Sequence, residues 1–215
     1  MLLSSGRGAA LEPQDPLIAS EALVVAHLHG DRRQARIWMA APLPRAALEL
    51  LQPEQLLEDD VVLWDDDRGQ VMARHQRRLG ALVLKDAPQP QPDSAAVQRC
   101  LLEQLQRRGL EWLGWTPAQL QLRGRLAFLH QLEPDQWPAV DEASLLVELD
   151  RWLGPYLDGV RSVGQLQAID LKSALLDRLD WQARSQLDAL APLLWRLPSG
   201  RSGRIDYSLS LIHIS

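Results

Sequence analysis

The 215-residue sequence is short of cysteine, lysine and non-tryptophan aromatics, and each shortage closes off some chemistry. Cys100 is the only cysteine, so an intramolecular disulfide and a thiolate metal cluster are excluded. Its setting, VQRCLLEQL, reads as a small buried apolar filler. Lys85 and Lys172 are the only lysines, and no G-x-x-x-x-G-K-[ST] pattern occurs, so a phosphate cradle with its lysine has no candidate. The longest apolar runs, ALVVA and ALVL, fall far short of the ~20 residues that span a bilayer. No basic stretch followed by an apolar one opens the chain, so no signal peptide is visible and a soluble cytoplasmic protein is expected. Formal net charge is −5, with −3 in residues 1–90 and −2 in the remainder. Neither half is a basic module. Unspecific nucleic-acid binding rests on many Lys or Arg contacts to phosphate, so the isolated chain should bind such a polymer weakly.

What is present divides at Lys85-Asp86-Ala87-Pro88-Gln89-Pro90-Gln91-Pro92, where prolines at alternate positions favour an extended connector. The predicted organisation is a β domain over 1–87, a helical domain over 93–197, a partial extension over 198–208, and a tail over 209–215 left out of fold reasoning. Ala22–Leu28 and Gln34–Ala41 read as a hairpin turning at Gly30-Asp31-Arg32. Asp60–Trp64 and Gln70–Gln76 flank a second turn at Asp65-Asp66-Asp67-Arg68-Gly69. Leu79–Leu84 reads as a central strand, and Ala46–Leu51 as a short helix. The fold class expected is α+β, with a small antiparallel OB-like β-barrel followed by a compact helical bundle.

Beyond the connector the apolar period becomes helical. Val97, Leu101 and Leu105 recur behind a cap at Asp93 or Ser94, and Gly109 ends the helix. Thr116-Pro117-Ala118-Gln119 is a capping box opening a helix with Leu122, Leu126 and Leu129 inward. Asp141 caps a third with Leu145, Leu149, Trp152 and Leu153 inward, stopped by Gly154-Pro155. Helices are also expected over Val163–Ala168, Leu171–Leu179 and, capped by Asp180, Trp181–Leu190.

No catalytic constellation stands out, and binding residues are the more informative set. Ser4-Ser5-Gly6-Arg7-Gly8 reads as a flexible turn, or as a loop where Arg7 meets a phosphate. On Gln34–Ala41, Ala35, Ile37 and Met39 share one face, and Arg36 and Trp38 the other. An outward Arg beside an outward Trp can stack a base and hold its phosphate. The competing and favoured reading packs Trp38 against the helical half, as large aromatics are usually much buried. Arg74-His75-Gln76-Arg77-Arg78 is the densest basic cluster, either a phosphate contact or a charged edge that blocks strand addition. His27, His29 and Asp31 make at most a partial metal site. Asp65–Asp67 reads as a solvated turn before it reads as a cation site. Of the eight tryptophans, Trp112, Trp115, Trp137, Trp152, Trp181 and Trp195 lie in or beside helical segments, and most should pack inward.

Several stretches resemble one family in order along nearly the whole chain. They are LLSSGRGAALEPQDPL and LVVAHLHGDRRQARIWMAAPL near the start, and VVLWDDDRGQVMARHQRRLGALVL after them. RGRLAFLHQL, LLVELDRWLGPYLDGVRS, LLDRLDWQARSQLDALAP and PSGRSGRIDYS follow. Together they resemble the C-terminal part of the HrpB family, bacterial ATP-dependent RNA helicases of the DEAH-like superfamily, without the family's motor lobes. The resemblance implies RecA-like lobes, carrying ATP and Mg in the complete family protein, upstream of a region like this one, with no cofactor in this chain. It implies single-stranded RNA or another nucleic acid and those lobes as partners, with no membrane. On side-chain chemistry, Arg7, Arg36, Trp38, Arg74, Arg77 and Arg78 are the candidate strand contacts, with Arg201 and Arg204 behind them. The expected function is accessory, guiding the strand and packing on the motor. The alternative is a non-catalytic module docking a protein through its helical bundle.

Overall fold

The computed structural model describes residues 1–30, 35–44, 46–47, 50, 53–196 and 200–207. The expected turn at Asp31-Arg32, half of the helix expected over Ala46–Leu51, and the tail over 209–215 with Ser208 before it lie outside them. The chain separates into two compact units, one of residues 1–62 with 72–92, the other of 63–71 with 93–215. The architecture is α+β.

The first unit is built from strands. Strands β1 (Ala9–Ala10), β2 (Leu23–Gly30) and β3 (Ala35–Pro42) form one sheet in the order β1-β3-β2, with β1 parallel to β3 and β2 antiparallel to it. Strands β4 (Leu56–Asp65), β5 (Gln70–Leu79) and β6 (Leu82–Pro88) form a second, in the order β4-β5-β6. Neither sheet closes on itself, so the expected OB-like barrel is not what the described strands make. Edge strand β4 carries Glu58, Asp59 and Asp60, and edge strand β6 carries Lys85 and Asp86. Such charges discourage the further pairing that closure requires.

Leu79–Leu84, expected as one central strand, instead spans a tight turn at Gly80-Ala81. Gly80 has φ +56°. A Cβ there would stand 2.2 Å from the Ser4 carbonyl oxygen, so only glycine fits. The Ala81 amide donates to that same oxygen at 2.8 Å. The opening residues thus form a fixed turn: the Leu3 amide donates to the Arg7 carbonyl and the Gly6 amide to the Leu3 carbonyl, each at 2.9 Å.

The second unit is helical. Helix α1 (Ser94–Arg108) is capped by the Asp93 carboxylate and ends at Gly109. Helix α2 (Pro117–Leu132) opens with the Thr116–Gln119 capping box. The helix expected from Asp141 is two pieces, α3 (Glu142–Val147) and α4 (Leu149–Trp152), broken where Glu148 leaves helical geometry at φ −100°, ψ 17°. Helices α5 (Val163–Gln167), α6 (Leu171–Leu176) and α7 (Trp181–Leu190) follow, capped by Ser162, Asp170 and Asp180. A short hairpin of β7 (Leu194–Arg196) and β8 (Ser202–Arg204) comes last.

Leu101, Leu105, Leu113, Leu126, Leu145, Leu153, Leu166 and Leu175 are fully enclosed. The Arg125 guanidinium is buried with them and closes the end of α7. It donates to the Ala191 carbonyl at 2.6 Å and the Leu187 carbonyl at 3.1 Å, and pairs with Asp188 at 2.5 Å. A cation suits a helix C-terminus, where carbonyls lack partners and the dipole is negative.

Gln121 receives the segment after β8. Its side-chain carbonyl accepts from the Tyr207 amide at 3.1 Å, its amide donates to Asp206, and the Tyr207 hydroxyl donates to the Pro192 carbonyl at 3.1 Å. Gly124 permits this approach, because a Cβ there would lie 1.9 Å from the Tyr207 oxygen. Cys100 is buried, and burial pushes its thiol pKa up.

Candidate nucleic-acid interface

Strand β3 presents the clearest binding feature, with Arg36 and Trp38 on its outward face. Ala35 and Ile37 are buried, packed with Ala9 and against Leu3, Leu11, Val25 and Leu28. The ladder to β2 pairs His27 with Met39 and Leu28 with Ile37, leaving Trp38 as an extra residue on β3. Bulges re-aim side chains in this way. Trp38 is 66% exposed, so the favoured expectation of a packed indole does not hold. Met39, expected to share the inward face of Ala35 and Ile37, is exposed too, since the bulge resets the alternation before it.

Around Trp38 stand Arg36, with its guanidinium 5.8 Å from the ring centroid, and His29, edge-on at 6.4 Å. Arg36 also pairs with Glu12. Both Glu12 and His29 were missed as neighbours in the sequence. The His29–Arg36 pairing across the ladder is the signal that places His29, but it needs a register the sequence does not print.

Strand β5 carries the basic cluster, and its cations are engaged at home. Arg74 pairs with Asp86 at 2.8 Å, which holds the Asp86 carboxyl below its ordinary range and raises the Arg74 pKa. Arg77 lies 3.5 Å from Glu58. Arg78 is half-buried, and its Nε finds no hydrogen-bond partner among the described residues. His75 Nδ1 meets Asp60 at 2.7 Å, and the Gln89 side-chain amide donates to the other Asp60 oxygen at 2.7 Å. These two hydrogen bonds lower the Asp60 pKa.

Arg7 lies in the opening turn, half-buried. Arg201 and Arg204 stand exposed on the last hairpin, in the second unit. The structure therefore brings Arg36 and Trp38 together, gathers Arg74, Arg77 and Arg78 on one strand, and leaves Arg201 and Arg204 in a separate unit.

Two carboxylates of the acidic turn are engaged by the protein itself. Asp65 accepts from the Asp67 amide at 3.1 Å and the Arg68 amide at 3.2 Å. Asp66 accepts from the Trp64 indole at 3.0 Å and pairs with Arg108. Arg108 lies between two rings, 6.0 Å from the Trp64 centroid and 4.9 Å from that of Trp112. Among the described residues no group of three His, Cys, Asp or Glu side chains gathers to hold a metal. No helix among them is long and apolar enough to cross a membrane.

Two stretches of the chain match known family models. Residues 55–89 match the family model for the connector region of ATP-dependent RNA helicase HrpB, and residues 152–213 match that for the ATP-dependent helicase C-terminal domain. The chain is thus similar to the connector and C-terminal regions of the HrpB family. It is 34% identical over 208 residues to the ATP-dependent RNA helicase HrpB of Escherichia coli strain K12, covering 95% of this chain and 26% of that protein. A crystal structure of the E. coli DExH-box NTPase HrpB matches with 33% identity and a TM-score of 0.53, over 96% of this chain and 26% of that one. A crystal structure of the E. coli DEAH/RHA helicase HrpB matches with 32% identity and a TM-score of 0.52, over 95% and 26%. The chain thus spans about a quarter of the length of these relatives.

Proposed function

We propose that this chain is an accessory region of an HrpB-like ATP-dependent RNA helicase, guiding single-stranded RNA and packing on RecA-like motor lobes that bind ATP and Mg. One observation carries the strand-guiding part: the outward face of β3 holds the exposed Trp38 indole beside the Arg36 guanidinium. A base stacks on the indole, and Arg36 turns from Glu12 to the adjoining phosphate. Base–aromatic stacking is worth about 1–3 kcal/mol per base and tolerates any sequence, as a guiding surface requires. Arg74 and Arg77 contribute less, because a phosphate must first displace Asp86 and Glu58.

The test is fluorescence anisotropy of a labelled oligouridylate titrated with the chain and with Trp38→Ala. The variant should bind about 5- to 100-fold more weakly, the affinity equivalent of that stacking energy. Equal affinity would remove Trp38 from the strand path. With no phosphate cradle in its sequence, the chain should also show no ATP hydrolysis above background.

A second reading, docking of a protein partner, draws on the other unit. Trp181 is 84% exposed, and Leu194 and Trp195 are also exposed. The inward face of α7 is set by Ala183 and Leu187, four residues apart, and Trp181 at the helix start lies off it. RNA binding that is absent or indifferent to salt would favour that reading.

A further inference from the structure

The second unit contains a cleft of about 810 Å³ between the loop at Trp137–Ala139, helix α4 and the Asp177–Arg178 segment. Its walls are apolar where Trp137, Pro138, Trp152 and Pro155 line it. One wall holds an incomplete set of hydrogen bonds. Arg178, its side chain only 11% exposed, uses Nη2 alone, donating to the Ala139 carbonyl at 3.1 Å and to Glu148 at 2.7 Å. Its Nε and Nη1 are buried and find no acceptor among the described residues. The Trp137 indole N–H, in the same lining and almost wholly buried, finds none either. Three buried donors without acceptors in one cleft wall are unusual, because each such group costs about 1–3 kcal/mol.

The charged groups around the cleft pair with one another. Glu148 serves two cations, Arg178 at 2.7 Å and Arg151 at 3.9 Å. Asp177 is taken by Arg184 at 3.6 Å and by the Tyr156 hydroxyl. The lining itself thus holds two guanidiniums, Arg151 and Arg178, and two carboxylates, Glu148 and Asp177, so the unsatisfied donors and not net charge mark the anion position.

We infer that this cleft binds a carboxylate borne by a peptide, its oxygens meeting the Arg178 and Trp137 donors between proline and tryptophan walls. A peptide fits better than a nucleic-acid strand, since a run of phosphates would meet Glu148 and Asp177 beside the one position that favours an anion. Val147, 85% exposed on the rim, tests the cleft without touching the core.

The experiment follows the Trp137 indole N–H by NMR in the whole 215-residue chain, with Trp137→Phe assigning the resonance. N-acetylglycine is the peptide-carboxylate probe, its methyl ester the uncharged control and inorganic phosphate the competitor. The carboxylate should shift the resonance saturably, with a Kd on the order of 1–10 mM, as suits one anion contact. The ester should not shift it. Val147→Asp should raise that Kd roughly threefold or more by like-charge repulsion at the rim. Arg178→Lys, which lacks the Nε–H, should abolish the shift while the other indole resonances keep their positions. No carboxylate shift, an equal response to the ester, phosphate binding tenfold tighter than N-acetylglycine, or an unchanged Kd in Val147→Asp would each overturn the assignment.

Discussion

The two units differ in how their sequence specifies them. The helical unit is written locally: carboxylate or hydroxyl caps open six of its seven described α-helices, at Asp93, Thr116, Asp141, Ser162, Asp170 and Asp180, and leucines at helical spacing fill its core. The strand unit depends on register. Its buried residues are fewer and smaller, Ala9, Ala35 and Ile37 in one cluster, with ion pairs across the exposed ladders. The comparison teaches that stability resides mainly in the helical unit, while the strand unit presents a tryptophan on the outward face of β3.

The largest effect that could break this contrast is on stability. Leu126→Ala should cost about 2–5 kcal/mol in urea unfolding, the range for emptying a sealed leucine site. Ile37→Val, in the thinner core, should cost about 0.5–1.5 kcal/mol. A larger loss from Ile37→Val would reverse the ranking. Next, Gly124→Ala should push its Cβ against the Tyr207 oxygen and cost about 1–3 kcal/mol, with faster amide exchange at Tyr207. Unchanged exchange there would mean that the segment does not depend on this contact.

A smaller effect sharpens the strand unit's own hierarchy. Arg77→Ala with Arg78→Ala should weaken RNA binding by the chain by less than tenfold, about 1 kcal/mol, and by less than Trp38→Ala does. A larger loss would move the centre of the interface from β3 to β5. The smallest concerns pH. Hydrogen bonds from His75 and Gln89 hold the Asp60 pKa below its ordinary value, so this carboxylate contributes stability above the unfolded pKa, lost as pH falls through the folded one. NMR titration should find Asp60 below the usual ~3.9, and His75→Ala should move it upward. A pKa unmoved by that substitution would assign the depression to another group.

The sequence disclosed the helical unit more fully than the strand unit for a physical reason. Caps such as Asp93 and Thr116 act within three residues, so a linear reading finds them. Strand features depend on partners. Leu79–Leu84 looks uniformly apolar, yet Gly80 turns the chain in its middle against Ser4, distant in sequence. The alternation in Ala35–Met39 was visible, but not the bulge at Trp38. The long-range polar contacts, Arg108 with Asp66 and Gln121 holding Tyr207, join residues 42 and 86 positions apart and leave no local signature.

The most direct measurement of strand guidance is the salt dependence of oligouridylate affinity. With Arg36 engaging one phosphate beside Trp38, log K should fall against log salt with a slope of about −0.7, and the loss of affinity in Trp38→Ala should persist at every salt concentration. A flat line, or a slope with no contribution from Trp38, would contradict the account.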